Sequence, residues 1–359
     1  MKRLTNHLWA WIAALTGLAA HGAAADPIAE FYKDKQMRIV IHNAPGGGYD
    51  TYARLLARHI TRHIPGEPTI LPNNMPGGGG IKAANFVYSQ APRDGTTLTM
   101  ISQGLAMYQA LELGDAMTAD MRKFNWIGNM SNSNHLLVTW HTSSVKTLAD
   151  ALAKPSIQGS TGAGSVSAQF PAVYNSLLGT KFKIIYGYGP ASDLDLAMER
   201  GEVDGRATRT WASYNATRPD WIDGKKLNFI FQVGLRKESD LPDVPLLLDL
   251  AKTEEERIIF RIISSTAAFG RPVATTPEVP KDRVGALRTA FDATLKDSAF
   301  IAEATKIKAE IGAMSGSEVD DVVASIVGAP KAMLDRLKVA MEFKDAEKWA
   351  HAQEGAGGD

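Results

Sequence analysis

Apolar positions along the chain fall into short β-rich runs and longer stretches with helical spacing, and the two kinds alternate. MRIVIHN, from Met37, is rich in β-branched residues and closed by a glycine-rich turn, which predicts a buried strand. DTYARLLARHITRHI then places Ala53, Leu56, Ile60 and Ile64 on one helical face, with Asp50 as the predicted N-cap. PTILPN predicts a second strand. NMPGGGG opens a helix, IKAANFVYSQA, that stops before Pro92; PRDG is a turn and TTLTMI a third strand. This β-α-β-α-β order predicts a parallel sheet covered by helices.

The middle of the chain repeats the logic. HLLVTW, SIQGS, KFKIIYG and NFIFQVGL predict strands, while KTLADALA, SAQFPAVYNSLLG (despite its proline) and ASDLDLAMERG predict helices. ESDLPDVPLLLDL is a proline-containing surface stretch that separates the middle from the last third. That third holds RIISSTAAFGRPV and two amphipathic helices, from about Lys281 to Leu295 and from Pro330 to Phe343. The two β/α blocks read as two lobes, with the C-terminal third expected to return to the first. No fixed-period repeat is present.

The start of the chain follows a different rule. Lys2 and Arg3 precede an apolar stretch of about 13 residues, and HGAAADP follows with Ala23 and Ala25 in a small-x-small pattern. The apolar stretch is shorter than the ~20 residues a spanning helix needs. Residues 1–25 are therefore expected to be a secretory signal peptide. The chain has no cysteine, which excludes thiol chemistry, disulfides and lipid attachment at the cleavage site. An exported, untethered product is retained only behind an outer membrane, so the expected location is the periplasm of a Gram-negative bacterium. Lys and Arg number 39 against 39 Asp and Glu. No segment carries five like charges in a row, which argues against a nucleic-acid partner. An anion would have to be met by local groups.

Three turns between a strand and a helix carry candidate chemistry. They are Asn43-Ala44-Pro45-Gly46-Gly47-Gly48-Tyr49-Asp50, Gly159-Ser160-Thr161-Gly162-Ala163-Gly164-Ser165 and Gly187-Tyr188-Gly189-Pro190-Ala191-Ser192-Asp193. In parallel sheets such turns lie at the carboxyl ends of strands, where ligands bind. Glycine lets backbone approach a ligand closely, and the following helix offers free N–H groups with about half a positive charge. An anion site without lysine or arginine results. The plainer reading is that any tight turn of this kind needs glycine. Pro76-Gly77-Gly78-Gly79-Gly80 fits either cleft lining or a sharp helix start, and the second is favoured.

Enzyme signatures are absent: no G-x-S-x-G elbow, no GxxxxGK[ST] and no complete GxGxxG. His59 and His63 have metal-pair spacing, but Ile60 stands where a zinc hydrolase carries its glutamate and Arg58 and Arg62 crowd the pair. A solvated helix face is expected there, with no metal and no cofactor. Asp193 and Asp195 read as capping carboxylates. Arg206 and Arg209 read as surface charges, with a ligand carboxylate as the less favoured partner.

MRIVIHNAPGGGYDTYARLLARHI, NNMPGGGGIKAANFVY and APRDGTTLTM resemble, in order and spacing, the substrate-binding proteins of tripartite tricarboxylate transporters, the Bug-type receptors. The resemblance continues through GSTGAGS, YGYGPASDLDLAMERGEVDG, LPDVPLLLDL and TPEVPKDRVGALRTAFDATLKD, and so covers nearly all of the chain after residue 25. It implies a type II periplasmic-binding-protein fold, in which two α/β lobes are joined by two crossovers with a ligand cleft between them. Lobe 1 would comprise residues 26–133 plus 267–359 and lobe 2 residues 134–266. It implies a monomeric receptor, not an enzyme, that captures a small carboxylic or dicarboxylic acid and delivers it to membrane permease subunits. Carried onto this sequence, the first-lobe loop is Pro45 to Asp50, the second-lobe loop Ser160 to Ser165, and Gly189, Pro190 and Asp193 match a later turn. Ser102, Gln103 and Gly104 should face the same cleft, with hinge closure around the ligand. The family usually has Phe where Asn43 stands and Thr where Tyr49 stands, and often a His within Val166–Gln169, which implies a differently shaped or more polar distal end. A periplasmic sensor presenting its ligand state to a kinase uses the same fold. A hydrolase or transferase on this scaffold is the remote alternative.

Overall fold

The computed structural model describes residues 26–46, 48–113, 116–160, 166–188 and 191–341. The expected signal peptide and the tail after residue 341 lie outside them. The first part runs α1 (Pro27–Tyr32), β1 (Gln36–Ile41), α2 (Gly48–Ile60), β2 (Thr69–Asn74), α3 (Ile81–Ser89), β3 (Thr97–Met100), α4 (Leu105–Ala110) and β4 (Asn125–Asn129). The middle runs β5 (His135–Trp140), α5 (Leu148–Ala153), β6 (Ser156–Gly159), α6 (Val166–Leu178), β7 (Phe182–Ile185), α7 (Ala191–Glu199), β8 (Gly205–Thr210), α8 (Trp211–Thr217), α9 (Pro219–Asp223) and β9 (Leu227–Val233). The last part runs α10 (Glu254–Ala268), β10 (Pro272–Thr275), α11 (Lys281–Thr294), α12 (Ser298–Lys306), β11 (Met314–Ser315), α13 (Gly316–Val327) and α14 (Lys331–Ala340).

The strands form two mixed sheets, ordered β11-β4-β10-β3-β1-β2 and β7-β6-β8-β5-β9. β2, β1 and β3 are parallel, as are β7, β6 and β8; β10 and β5 run against their neighbours. The near-continuous apolar character of β1 follows from burial on both faces. Met37, Ile39 and Ile41 join Leu56, Ile60, Phe291 and Phe300 in one cluster, while Val40 points the other way into a cluster with Ile81 and Val87. The second cluster continues through α10 to Phe170, Tyr174 and Phe231, so apolar packing runs from one sheet to the other. RIISSTAAFGRPV resolves into the end of α10 and the start of β10.

The chain crosses between the sheets twice, at residues 130–134 and 234–271. The crossings are tied together: Asn134 Nδ2 donates to Gln232 Oε1 (2.8 Å) and to the Arg236 carbonyl (2.7 Å), and Glu238 Oε1 accepts from Asn134 N–H (2.5 Å). The first sheet draws its strands from residues 36–129 and 272–315, and the second from residues 135–233. α14, from the last part of the chain, packs against α10 and α6.

Candidate functional site

Parallel pairing puts the carboxyl ends of β1 and β3 on one edge of the first sheet, with the loops 42–48 and 101–104 beyond them. The carboxyl ends of β6 and β8 likewise share an edge of the second sheet, and antiparallel pairing puts the first residue of β5, His135, opposite Thr210 on that edge. The two edges meet. Gln103, in the loop after β3, donates from Nε2 to His135 Nε2 at 3.3 Å. Of the predicted residues, Tyr49, Ser102 and Gln103 are therefore brought to the junction.

The first loop is braced by Asp50. The residue sits inside the first turn of α2 and is not its N-cap, because the helix starts at Gly48. Its carboxylate accepts from Gly46 N–H (2.9 Å), Arg54 Nε (2.8 Å) and Asn74 Nδ2 (2.9 Å), and Asn74 Nδ2 also donates to the Asn43 carbonyl (2.9 Å). Burial raises the carboxyl, but these donors outweigh it and hold it below its ordinary value. Asp50 is thus engaged by the protein itself. Pro45, Gly46 and Gly48 are exposed at the loop's tip, whereas the Asn43 Oδ1 is buried with no hydrogen-bond partner among the described residues.

Tyr49 links this loop to the next. Its hydroxyl donates to Gln103 Oε1 (3.4 Å) and accepts from Gln103 N–H (3.2 Å), and its ring meets His42 edge-on at 4.2 Å. Gly80 closes the group from the side. A Cβ there would lie 2.9 Å from Ser102 Cβ and 3.3 Å from the His42 ring, and φ is +106°, so glycine is required. The PGGGG run both starts α3 and packs its last glycine against two candidate-site residues.

Sequence reasoning missed three residues here: His42, His135 and Arg271. Burial, then the Arg271 charge, lowers both imidazoles to about 4. Both are therefore neutral at pH 7, which suits His135 Nε2 as an acceptor. Arg271 lies at the amino end of β10, over the Tyr49 ring at 4.4 Å and the Tyr52 ring at 5.1 Å. A search confined to loops after strands passes over His135 and Arg271, since each lies at the amino end of an antiparallel strand on the same edge. The available signal was polar residues flanking predicted strands, in SNSNH and FGR.

In the second lobe, Ser160 is fully buried at the end of β6. Its N–H donates to the Ile185 carbonyl (2.8 Å), and its hydroxyl lies 2.9 Å from that of Ser167. Gly47, Thr161, Gly162, Ala163, Gly164, Ser165, Gly189 and Pro190 lie outside the described residues. Asp193 is exposed in the first turn of α7.

Three expectations are corrected. Arg206 and Arg209 are not surface charges: both are buried and converge on buried Asp195, Arg206 Nη1 at 3.1 Å and Arg209 Nη1 at 2.5 and 2.6 Å. Helical spacing turns Asp195 inward from Asp193, so it is an ion-pair centre and not a cap. Nor do His59 and His63 line a solvated face. α2 packs on α12, with His59 Nε2 at 2.5 Å from Glu303 and His63 Nε2 at 3.0 Å from Asp297.

Two α/β lobes, two tied crossovers and strand-end loops meeting between the lobes define a solute-binding receptor of the periplasmic-binding type. A model of the tripartite tricarboxylate transporter family receptor, TctC, matches residues 52–339, and the chain belongs to that family. Its members are receptors, not enzymes. A Cupriavidus necator protein described as the UPF0065 protein in the gbd 5' region is 26% identical over 342 residues, covering 92% of this chain and 96% of that protein. Rpa4515 of Rhodopseudomonas palustris, solved with adipate, superposes with a TM-score of 0.60 at 17% identity, over 86% of this chain and 97% of that one. MatC from the same organism, solved with malate, gives a TM-score of 0.57 at 19% identity, over 83% and 98%. No described helix is long and apolar enough to cross a membrane.

Proposed function

We propose that this receptor captures a small carboxylic or dicarboxylic acid in the periplasm of a Gram-negative bacterium and delivers it, as a monomer, to the membrane permease subunits of a tripartite tricarboxylate-type transporter. The observation that carries the reading is the meeting of the two strand-end edges at Gln103 and His135, with a glycine-rich loop beside it. Backbone N–H groups of the 43–50 loop and of the loop after Ser160, with Ser102 and Gln103, would receive the carboxylate. Thr161, Gly162, Ala163, Gly164, Ser165, Gly189 and Pro190 would complete the second-lobe side, and closure would hinge at the tied crossovers. Adipate and malate in two proteins of similar fold support the substrate class.

The test is a thermal-shift screen of the protein against mono-, di- and tricarboxylates, aromatic acids included. A ligand binding only the folded state stabilises it by about 2.7 kcal/mol at a hundred times its dissociation constant. A melting shift confined to one class of acid is expected. Absence of a shift across the panel, with native mass spectrometry showing an empty protein, refutes the reading.

A further inference from the structure

Arg271, half-buried, differs from the buried pair Arg206 and Arg209. Arg206 and Arg209 share Asp195, whereas no described carboxylate lies within 4 Å of Arg271. Its backbone is fixed: N–H donates to Asn129 Oδ1 (2.7 Å), and its carbonyl accepts from Met130 N–H (3.0 Å). The guanidinium is held by neutral groups, among them the Tyr49 side chain, to which it is hydrogen-bonded. Nη1 donates to the neighbouring Gly270 carbonyl (2.6 Å), and Nε is buried with no partner among the described residues. Tyr49 and Tyr52 cover its plane but supply no counter-charge. A half-buried guanidinium with no carboxylate beside it is a ready partner for an incoming anion.

Its position says where that anion would be. Backbone pairing sets Arg271 beside Ile101 and Ser102, since Ile101 N–H donates to the Pro272 carbonyl (3.3 Å). A Cβ on Gly48 would lie 2.8 Å from Arg271 Nη2, so the glycine at the loop's end leaves room for the guanidinium. The two imidazoles at this junction are neutral near pH 7 and offer no competing positive charge. Resting on the receptor reading above, we propose that Arg271 is the charged anchor of the cleft, pairing with the ligand's carboxylate from the first-lobe side. Its planar fork favours a carboxylate over a neutral amide or an alcohol of the same shape.

The experiment compares wild type, Arg271→Lys and Arg271→Gln by calorimetric titration with malate and with adipate at low and high salt, after circular dichroism and melting confirm the fold. Arg271→Gln should bind at least tenfold more weakly and lose most of the salt dependence; Arg271→Lys, which keeps charge but not the fork, should fall between. Wild-type affinity in a folded Arg271→Gln protein overturns the anchor and leaves the receptor reading standing. If Arg271→Gln does not fold, Arg271→Lys decides: weaker binding supports the anchor and unchanged binding overturns it. Wild type that binds no acid of the wider panel overturns both. A readout without ligand is the imidazole titration followed by NMR: in Arg271→Gln, His42 and His135 should titrate higher than in wild type, and unchanged titration refutes the placement of the charge.

Discussion

Acid should loosen this protein well above the range in which its carboxylates titrate, through His42 and His135. Both rings are held at about 4 against an ordinary 6.5, by burial first and Arg271 second. Between those values the unfolded chain binds protons that the folded chain refuses, so stability rises with pH across the window and falls on acidification. The loss is complete near pH 4. Each ring removes about 3 kcal/mol over the full window and roughly 2 kcal/mol between pH 7 and pH 5. Asp50 and Glu303, with lowered values, lose their contribution only at lower pH, and Glu310 and Asp320, with raised values, act in the opposite sense. All four are common to wild type and variants and cancel in the comparison. Urea unfolding of wild type, His42→Gln, His135→Gln and the double variant at pH 7, 6 and 5 measures the effect. The double variant should lose about 4 kcal/mol of the wild-type drop between pH 7 and 5. A drop of wild-type size in the double variant refutes the assignment.

Asp195→Ala should destabilise the second lobe by about 3–5 kcal/mol, since Arg206 and Arg209 lose their shared partner; a change below about 1 kcal/mol in the urea midpoint would show that the ion-pair cluster is already neutralised elsewhere. Gln103→Ala removes one bond between the two strand-end edges, costing about 1 kcal/mol in stability. Small-angle scattering of the unliganded variant should show a larger radius of gyration than wild type, and an identical curve would deny that bond a role in lobe spacing. Gly162→Val with Gly164→Val should abolish acid binding while preserving the circular dichroism spectrum. Retained affinity in that folded variant would remove the loop from the site.

The alternation of strand and helix in the first hundred residues was legible because each parallel strand is followed by an amphipathic helix with its own cap or glycine turn. Ala53, Leu56, Ile60 and Ile64 are all buried, as their spacing requires. β4, β8, α12 and α13 were harder to read. NWIGN and GRATRT are short and mix polar with apolar residues; both pair between neighbours, and the arginines of GRATRT carry ion pairs to Asp195. α13 does announce itself, through the capping box of Ser315 and Glu318. Loop residues of the site were readable where glycine marked a strand end. Arg271 and His135 were not, because their role depends on antiparallel pairing between segments more than 70 residues apart in sequence. The burial of Arg206, Arg209 and His59 was hidden for a related reason: the carboxylates that satisfy them lie on other elements.

The most direct test of the central claim is isothermal calorimetry of the wild-type protein at 25 °C with the acid that shifts melting most, beside the amide of the same acid. One site per chain is expected for the acid, weakening with added salt, with no measurable heat from the amide. Equal binding of acid and amide, or no heat from any acid of the panel, would contradict carboxylate capture in this cleft.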